Sequence, residues 1–215
     1  MRRIVRVTEV LNWVDKGDRA KDKPVSKSVQ AIGDRGTAIH RYLSDKLKQR
    51  CQVEVSEDCI DGVEAGEQWL SLNDWVQKDL RQVEERMYWP VADFDLSGQP
   101  DVIAGTTLID WKTGKEWWWH RWQANAYAHM FNQLNPGTPP LDTCLIVYLN
   151  PTTGQWVEKK TPFSLMIADA VRGLAIAYKE RRYGDNGTAD AEDGTGKVVD
   201  STEILDDRAW GDREV

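Results

Sequence analysis

The sequence predicts an α/β (α+β) domain on three observations. Four segments, at about residues 28–48, 65–81, 119–134 and 163–182, carry apolar residues at helical spacing. Three others, at 83–91, 98–112 and 143–159, are rich in β-forming residues and broken by turn signals. Between Gly98 and Lys115, two apolar runs flank Gly105-Thr106-Thr107, the pattern of a hairpin.

The elements follow in order. Residues 4–14 alternate apolar and polar, then shift to helical spacing with Thr8 as N-cap. The stretch 15–28 is too charged to bury and reads as an exposed loop. In the helix at 28–48, Ile39, Tyr42, Leu43 and Leu47 form the apolar stripe, and Gly36 and His40 share a face because they are four apart. Residues 51–64 are acidic and irregular, and one helix spans 65–81. A strand at 83–91, ended by Pro90, begins a three-strand meander that runs to Lys112. Trp119 to Leu134 is a helix stopped by Asn135, Pro136 and Gly137, with Gln123 and Tyr127 on one face. A hairpin at 143–159 and a helix from Phe163 to Arg182 complete the ordered part, and the Gly- and Asp-rich stretch 184–215 reads as a flexible tail.

Composition bounds the function. With 215 residues the chain can bury a substantial core, and no apolar run approaches the ~20 residues of a membrane helix. Arg6 and Glu9 interrupt the only stretch that resembles a signal peptide, so an intracellular protein is expected. Three cysteines with no CxxC pair suit reduced thiols rather than zinc or disulfides. The net charge of -7 is unevenly spread: residues 1–50 hold 13 Lys or Arg against 6 Asp or Glu, net +7, which leaves -14 for the rest. A basic face beside an acidic centre is one reading of this asymmetry, and a solvated surface is the other.

The hairpin carries the chemistry. Side chains alternate along a strand, so Asp110 and Lys112 point to one side and Trp111 to the other. Folding at Gly105 returns Asp101 to that pair. Two carboxylates and an ammonium can hold a hard divalent cation and a water bound to it. An acid from the 83–91 strand is a candidate further ligand; alternation leaves Glu84 and Glu85 both open, with Glu85 preferred. Trp117 and Trp118 are placed either to stack on bases of a single strand or to form a hydrophobic lid.

In order, Gly36-Thr37-Ala38-Ile39-His40, Gly98-Gln99-Pro100-Asp101, Asp110-Trp111-Lys112 and Gln123-Ala124-Asn125-Ala126-Tyr127 resemble the GxxxH, GxxD, DxK and QxxxY elements of the RecB-type branch of the PD-(D/E)XK nuclease superfamily. The resemblance covers about residues 30–130. It leaves the N-terminal segment and the tail unexplained and implies a mixed central β-sheet flanked by helices, so one nuclease domain is expected at 1–183, with a helical N-terminal part at 1–81 and a sheet core at 83–182. It implies one or two Mg²⁺ or Mn²⁺ ions held by His40, Asp101, Asp110 and the main-chain carbonyl of Trp111. Lys112 would orient or activate water, Gln123 and Tyr127 would position nucleic acid or brace the site, and Gly36 would either let nucleic acid approach the helix closely or serve as a packing contact. Because no cysteine follows Cys144, the iron-sulfur cluster of some relatives is not expected. The expected function is that of a stand-alone DNA exonuclease of recombination, repair or replication, of the kind phages carry, with a recombination or replication protein as a partner. The alternative is an inactive nucleic-acid-binding accessory protein on the same fold.

Overall fold

The computed structural model describes residues 2–16, 26–50 and 54–183. Most of the expected loop at 15–28 and all of the expected tail at 184–215 lie outside the described residues.

Strand β1 (Arg3–Arg6) runs directly into helix α1 (Val7–Lys16). Thr8 is inside α1 and does not cap it. Glu9 reaches back instead, its carboxylate accepting the Arg6 N–H at 3.3 Å, half of a capping box. Helix α2 (Lys27–Leu47) starts from Ser26, whose hydroxyl accepts the Val29 N–H at 3.3 Å. After a 3₁₀ turn come α3 (Ile60–Leu72), α4 (Trp75–Lys78) and strand β2 (Leu80–Val83). The single helix expected at 65–81 is therefore wrong at both ends. It begins inside the stretch read as irregular, and it breaks at Asn73, whose side-chain amide donates to the Trp69 carbonyl at 2.9 Å and ends the helix locally.

Next come β3 (Met87–Val91), β4 (Phe94–Gly98), β5 (Val102–Ala104) and β6 (Thr107–Lys112), then α5 (Trp118–Leu134), β7 (Thr143–Leu149), β8 (Trp156–Pro162) and α6 (Leu165–Tyr183). Helix α6 starts two residues later than Phe163, at Leu165, preceded by Ser164, whose hydroxyl accepts the Ile167 N–H at 3.4 Å.

The strands form two sheets, one in the order β2-β5-β6-β7-β8 and one in the order β1-β4-β3. The β5–β6 hairpin is present, with Gly105 in its turn at φ +54°. The expected meander is not. Glu84 takes φ +48°, which turns the chain out of β2, and Pro100, without an N–H, separates β4 from β5. The 83–91 run is thus split between sheets. Pro90 does not end a strand; it lies inside β3, an edge strand that needs no N–H on its open side. β1 pairs in parallel with β4 and β6 in parallel with β7, so both sheets are mixed.

The larger sheet has a core on each face. Leu108 and Ile103 pack with Tyr127 and Met130 of α5, whereas Ile109 and Trp111 pack with Ile39 and Leu43 of α2 and Trp69 of α3. The result is a mixed central sheet flanked by helices, the predicted architecture. No helix among the described residues is long and apolar enough to cross a membrane.

Candidate active site

One cleft of about 440 Å³ opens where α2, the small sheet, the β5–β6 hairpin and α5 meet. His40, Asp101, Asp110, Lys112, Gln123, Tyr127 and Gly36 all line it, so the structure gathers residues spread over ninety positions of sequence.

The register of β6 places the reacting groups. Leu108, Asp110 and Lys112 alternate toward α5, and the Lys112 ammonium lies 2.9 Å from Asp110 Oδ2. At that distance both charge and hydrogen bonding hold the pair. Asp101, just ahead of β5, comes back beside them. Its Oδ2 accepts the Trp111 N–H at 2.7 Å, and its Oδ1 is 3.2 Å from His40 Nδ1. Exposure is 8% for Asp101, 3% for Asp110 and 4% for Lys112, which puts all three on the floor of the cleft.

Burial governs the electrostatics. It pushes the Asp110 carboxyl up to about 6, with Lys112 opposing and Asp101 reinforcing the rise. Burial also works against ionised Asp101, but the charge and hydrogen bond of His40, with Lys112 and the Trp111 N–H, hold its carboxyl below the usual range. Burial and the Asp101 charge push Glu84 up. The Tyr127 phenol is pushed up to about 12, by burial first and then by Asp110, and stays protonated.

Gly36 has a concrete reason to be glycine. A Cβ there would lie 2.6 Å from Thr113 Oγ1, so α2 can seat on the end of β6 only without a side chain. Gly98 does the same for Tyr127, whose ring would meet a Cβ at 2.4 Å. Gln123 Nε2 donates to the Tyr127 hydroxyl at 3.0 Å, while its buried Oε1 has no hydrogen-bond partner among the described residues.

Two groups lie elsewhere than expected. Glu84, not Glu85, lines the cleft; the positive φ at Glu84 breaks the alternation that made the two equivalent, and Glu85 is exposed. Trp117 and Trp118 do not line the cleft either. Trp117 lies under Lys115, whose ammonium is 4.4 Å from the ring centroid, and Trp118 stacks edge-on to Trp122. His40, Asp101 and Asp110 meet, but no group of three His, Cys, Asp or Glu side chains converges as a ready metal cage among the described residues. Asp101 is turned to His40 and Asp110 to Lys112.

The donor set nevertheless fits a hard divalent cation. Asp101, Asp110 and Glu84 line one cleft and supply carboxylate oxygens, the donors such an ion prefers.

Sequence reasoning missed several members. Thr113 braces α2, and Arg6, Arg41, Lys48, Arg50 and Arg86 surround the mouth with positive charge. For all of these cations but Arg86, the basic excess of residues 1–50 was the only signal. No sequence signal marked His120. It is fully buried, its Nδ1 lies 3.1 Å from the Tyr148 hydroxyl, and burial and then Lys112 push it down to about 2, so it is neutral. Cys59 and Cys144 are both buried, in separate cores.

No protein-family profile and no curated protein matches the chain. Among solved structures, a candidate exonuclease from Eubacterium rectale matches with a TM-score of 0.53 at 9% identity, over 83% of this chain and 79% of that one, so the two share a fold. A phage-related exonuclease from Haemophilus somnus 129PT matches with a TM-score of 0.37 at 14% identity, over 85% and 96% of the two chains. An alkaline exonuclease from Laribacter hongkongensis matches with a TM-score of 0.37 at 13% identity, over 83% and 87%.

Proposed function

We propose that the protein is a metal-dependent deoxyribonuclease of the RecB-type branch of the PD-(D/E)XK superfamily. It hydrolyses phosphodiester bonds as an exonuclease at DNA ends or on single strands, within the cell, in recombination, repair or replication, and phage origin suits its size. The observation that carries this reading is the buried set of Asp101, Asp110 and Lys112, gathered with His40 under a basic mouth.

Asp101 and Asp110 would hold one or two Mg²⁺ or Mn²⁺ ions, with Glu84, His40 and the Trp111 carbonyl completing the shell. A bound ion supplies Lewis-acid polarisation of a phosphoryl oxygen and a more acidic water. Lys112 places a fixed positive charge 2.9 Å from Asp110, where it offsets charge building on the non-bridging oxygens and orients the attacking water. Tyr127 is kept protonated, and because Gln123 donates to its oxygen, the phenolic proton is left to donate to the phosphate. His40 steers Asp101 through the contact at Oδ1. The low-dielectric floor strengthens each of these terms relative to water.

The test is cleavage of end-labelled single-stranded, double-stranded and flap DNA with Mg²⁺ or Mn²⁺. The parent should cut at least one, and Asp110→Ala or Lys112→Ala should lose roughly 10²-fold or more. Uncut DNA in every arm, or variants as active as the parent, rejects the reading.

A further inference from the structure

Helix α2 runs the length of the cleft. Ile32, Gly36, His40, Arg41, Asp45 and Lys48 all line it, and Arg50 follows just past the helix end. Sixteen residues at ~1.5 Å rise make this wall about 24 Å long, room for several backbone phosphates of one strand. Its chemistry changes along the way. On the lining face nothing N-terminal to His40 is charged, whereas Arg41, Lys48 and Arg50 all lie C-terminal to it.

Two of those three cations, Arg41 and Arg50, are arranged around one acid. Asp45 Oδ2 lies 4.0 Å from Arg41 Nε and Asp45 Oδ1 lies 3.9 Å from Arg50 Nη1, both beyond hydrogen-bond length. The Asp45 side chain is only 15% exposed, while those of Arg41 and Arg50 are 69% and 66% exposed. The acid therefore tethers two guanidiniums without neutralising the group, and their forks stay open to another anion. A cation balancing the negative end of the helix dipole belongs in its last turn; Arg41 lies farther back, so that explanation does not cover it.

We propose that Arg41 and Arg50, tethered by Asp45, form with Lys48 a subsite for backbone phosphates that are not cut, and that the strand lies along α2 with the reacting phosphate at His40 and Asp101. This rests on the nuclease reading above and adds where the rest of the strand is held. The subsite binds phosphate regardless of base, through charge and guanidinium geometry.

The experiment is binding of a fluorescent single-stranded oligonucleotide to the full chain in Ca²⁺ across a salt series. Each lost phosphate contact lowers the log–log salt slope by about 0.7. The triple variant Arg41→Gln/Lys48→Gln/Arg50→Gln should be shallower by about 2, and Arg50→Gln alone, outside the helix, by about 0.7. Lys159→Gln/Lys160→Gln on β8, away from the cleft, should keep the parent slope. Binding by the parent with an unchanged slope in the triple and single variants overturns the subsite and leaves the nuclease reading standing. A parent that neither binds nor cuts overturns both.

Discussion

The floor and the rim of the cleft both concentrate charge, yet burial makes them different instruments. On the floor, Asp101, Asp110 and Lys112 are less than a tenth exposed, and after burial the charges of Lys112 and Asp101 bear on the protonation of Asp110. On the rim, Arg41 and Arg50 are mostly exposed, and their ion pairs are long. Exposed pairs contribute little to stability because water screens them, whereas a broken buried pair leaves a charge with no solvent. The fold therefore depends on the floor and is nearly indifferent to the rim, although binding should depend on both.

The largest effect should come from Lys112→Met. Removing the ammonium beside Asp110 should cost about 3 kcal/mol at alkaline pH in denaturant titrations without divalent ions. The loss should shrink as pH falls. The folded-state Asp110 pKa is already raised, to about 6 from 3.8, and goes higher without Lys112, so protonation below that value favours the folded state. Arg50→Gln in the same titration should move stability by less than about 0.5 kcal/mol. Equal losses for the two variants would break the contrast between floor and rim.

A smaller effect tests how the floor is held together. Gly36→Ala drives a Cβ against Thr113 Oγ1, and a cost of about 1–3 kcal/mol follows from overpacking. Thr113→Ala added to it should recover most of that loss, since the next atom, Thr113 Cβ, is 3.8 Å away. No recovery in melting temperature would show that Gly36 is needed for another reason.

The most gradual effect is in pH. His120 beneath Lys112 is pushed down to about 2 from 6.5, so below about 6 the unfolded chain takes a proton that the folded one refuses. Stability should fall with acidification by up to about 1.4 kcal/mol per pH unit from this group, and His120→Gln should flatten the slope. A parent and variant with parallel pH profiles would place the buried titration elsewhere.

Much of the floor was legible because its relationships are local. Period two along β6 puts Asp110 and Lys112 together, the turn at Gly105 returns Asp101, and i,i+4 spacing aligns Gly36 with His40 and Gln123 with Tyr127. Less of the rim and of the small sheet was legible. Arg3–Arg6 pairs with residues about ninety positions later, and no local pattern encodes such a partner. Trp117 and Trp118 were open to base stacking or to a hydrophobic lid, but Trp117 packs against the core, Trp118 lies edge-on to Trp122, and neither lines the cleft.

By itself, then, the sequence determined which groups can do chemistry and which of them share a face, because backbone geometry repeats over two to four residues. Tertiary structure decided which acid turns inward, Glu84 through its positive φ, and how the meander divides between two sheets. It also decided how deeply the gathered charges are buried. Burial is a property of the whole packed chain, and it is burial that turns Asp101, Asp110 and Lys112 from three charged side chains into one coupled site.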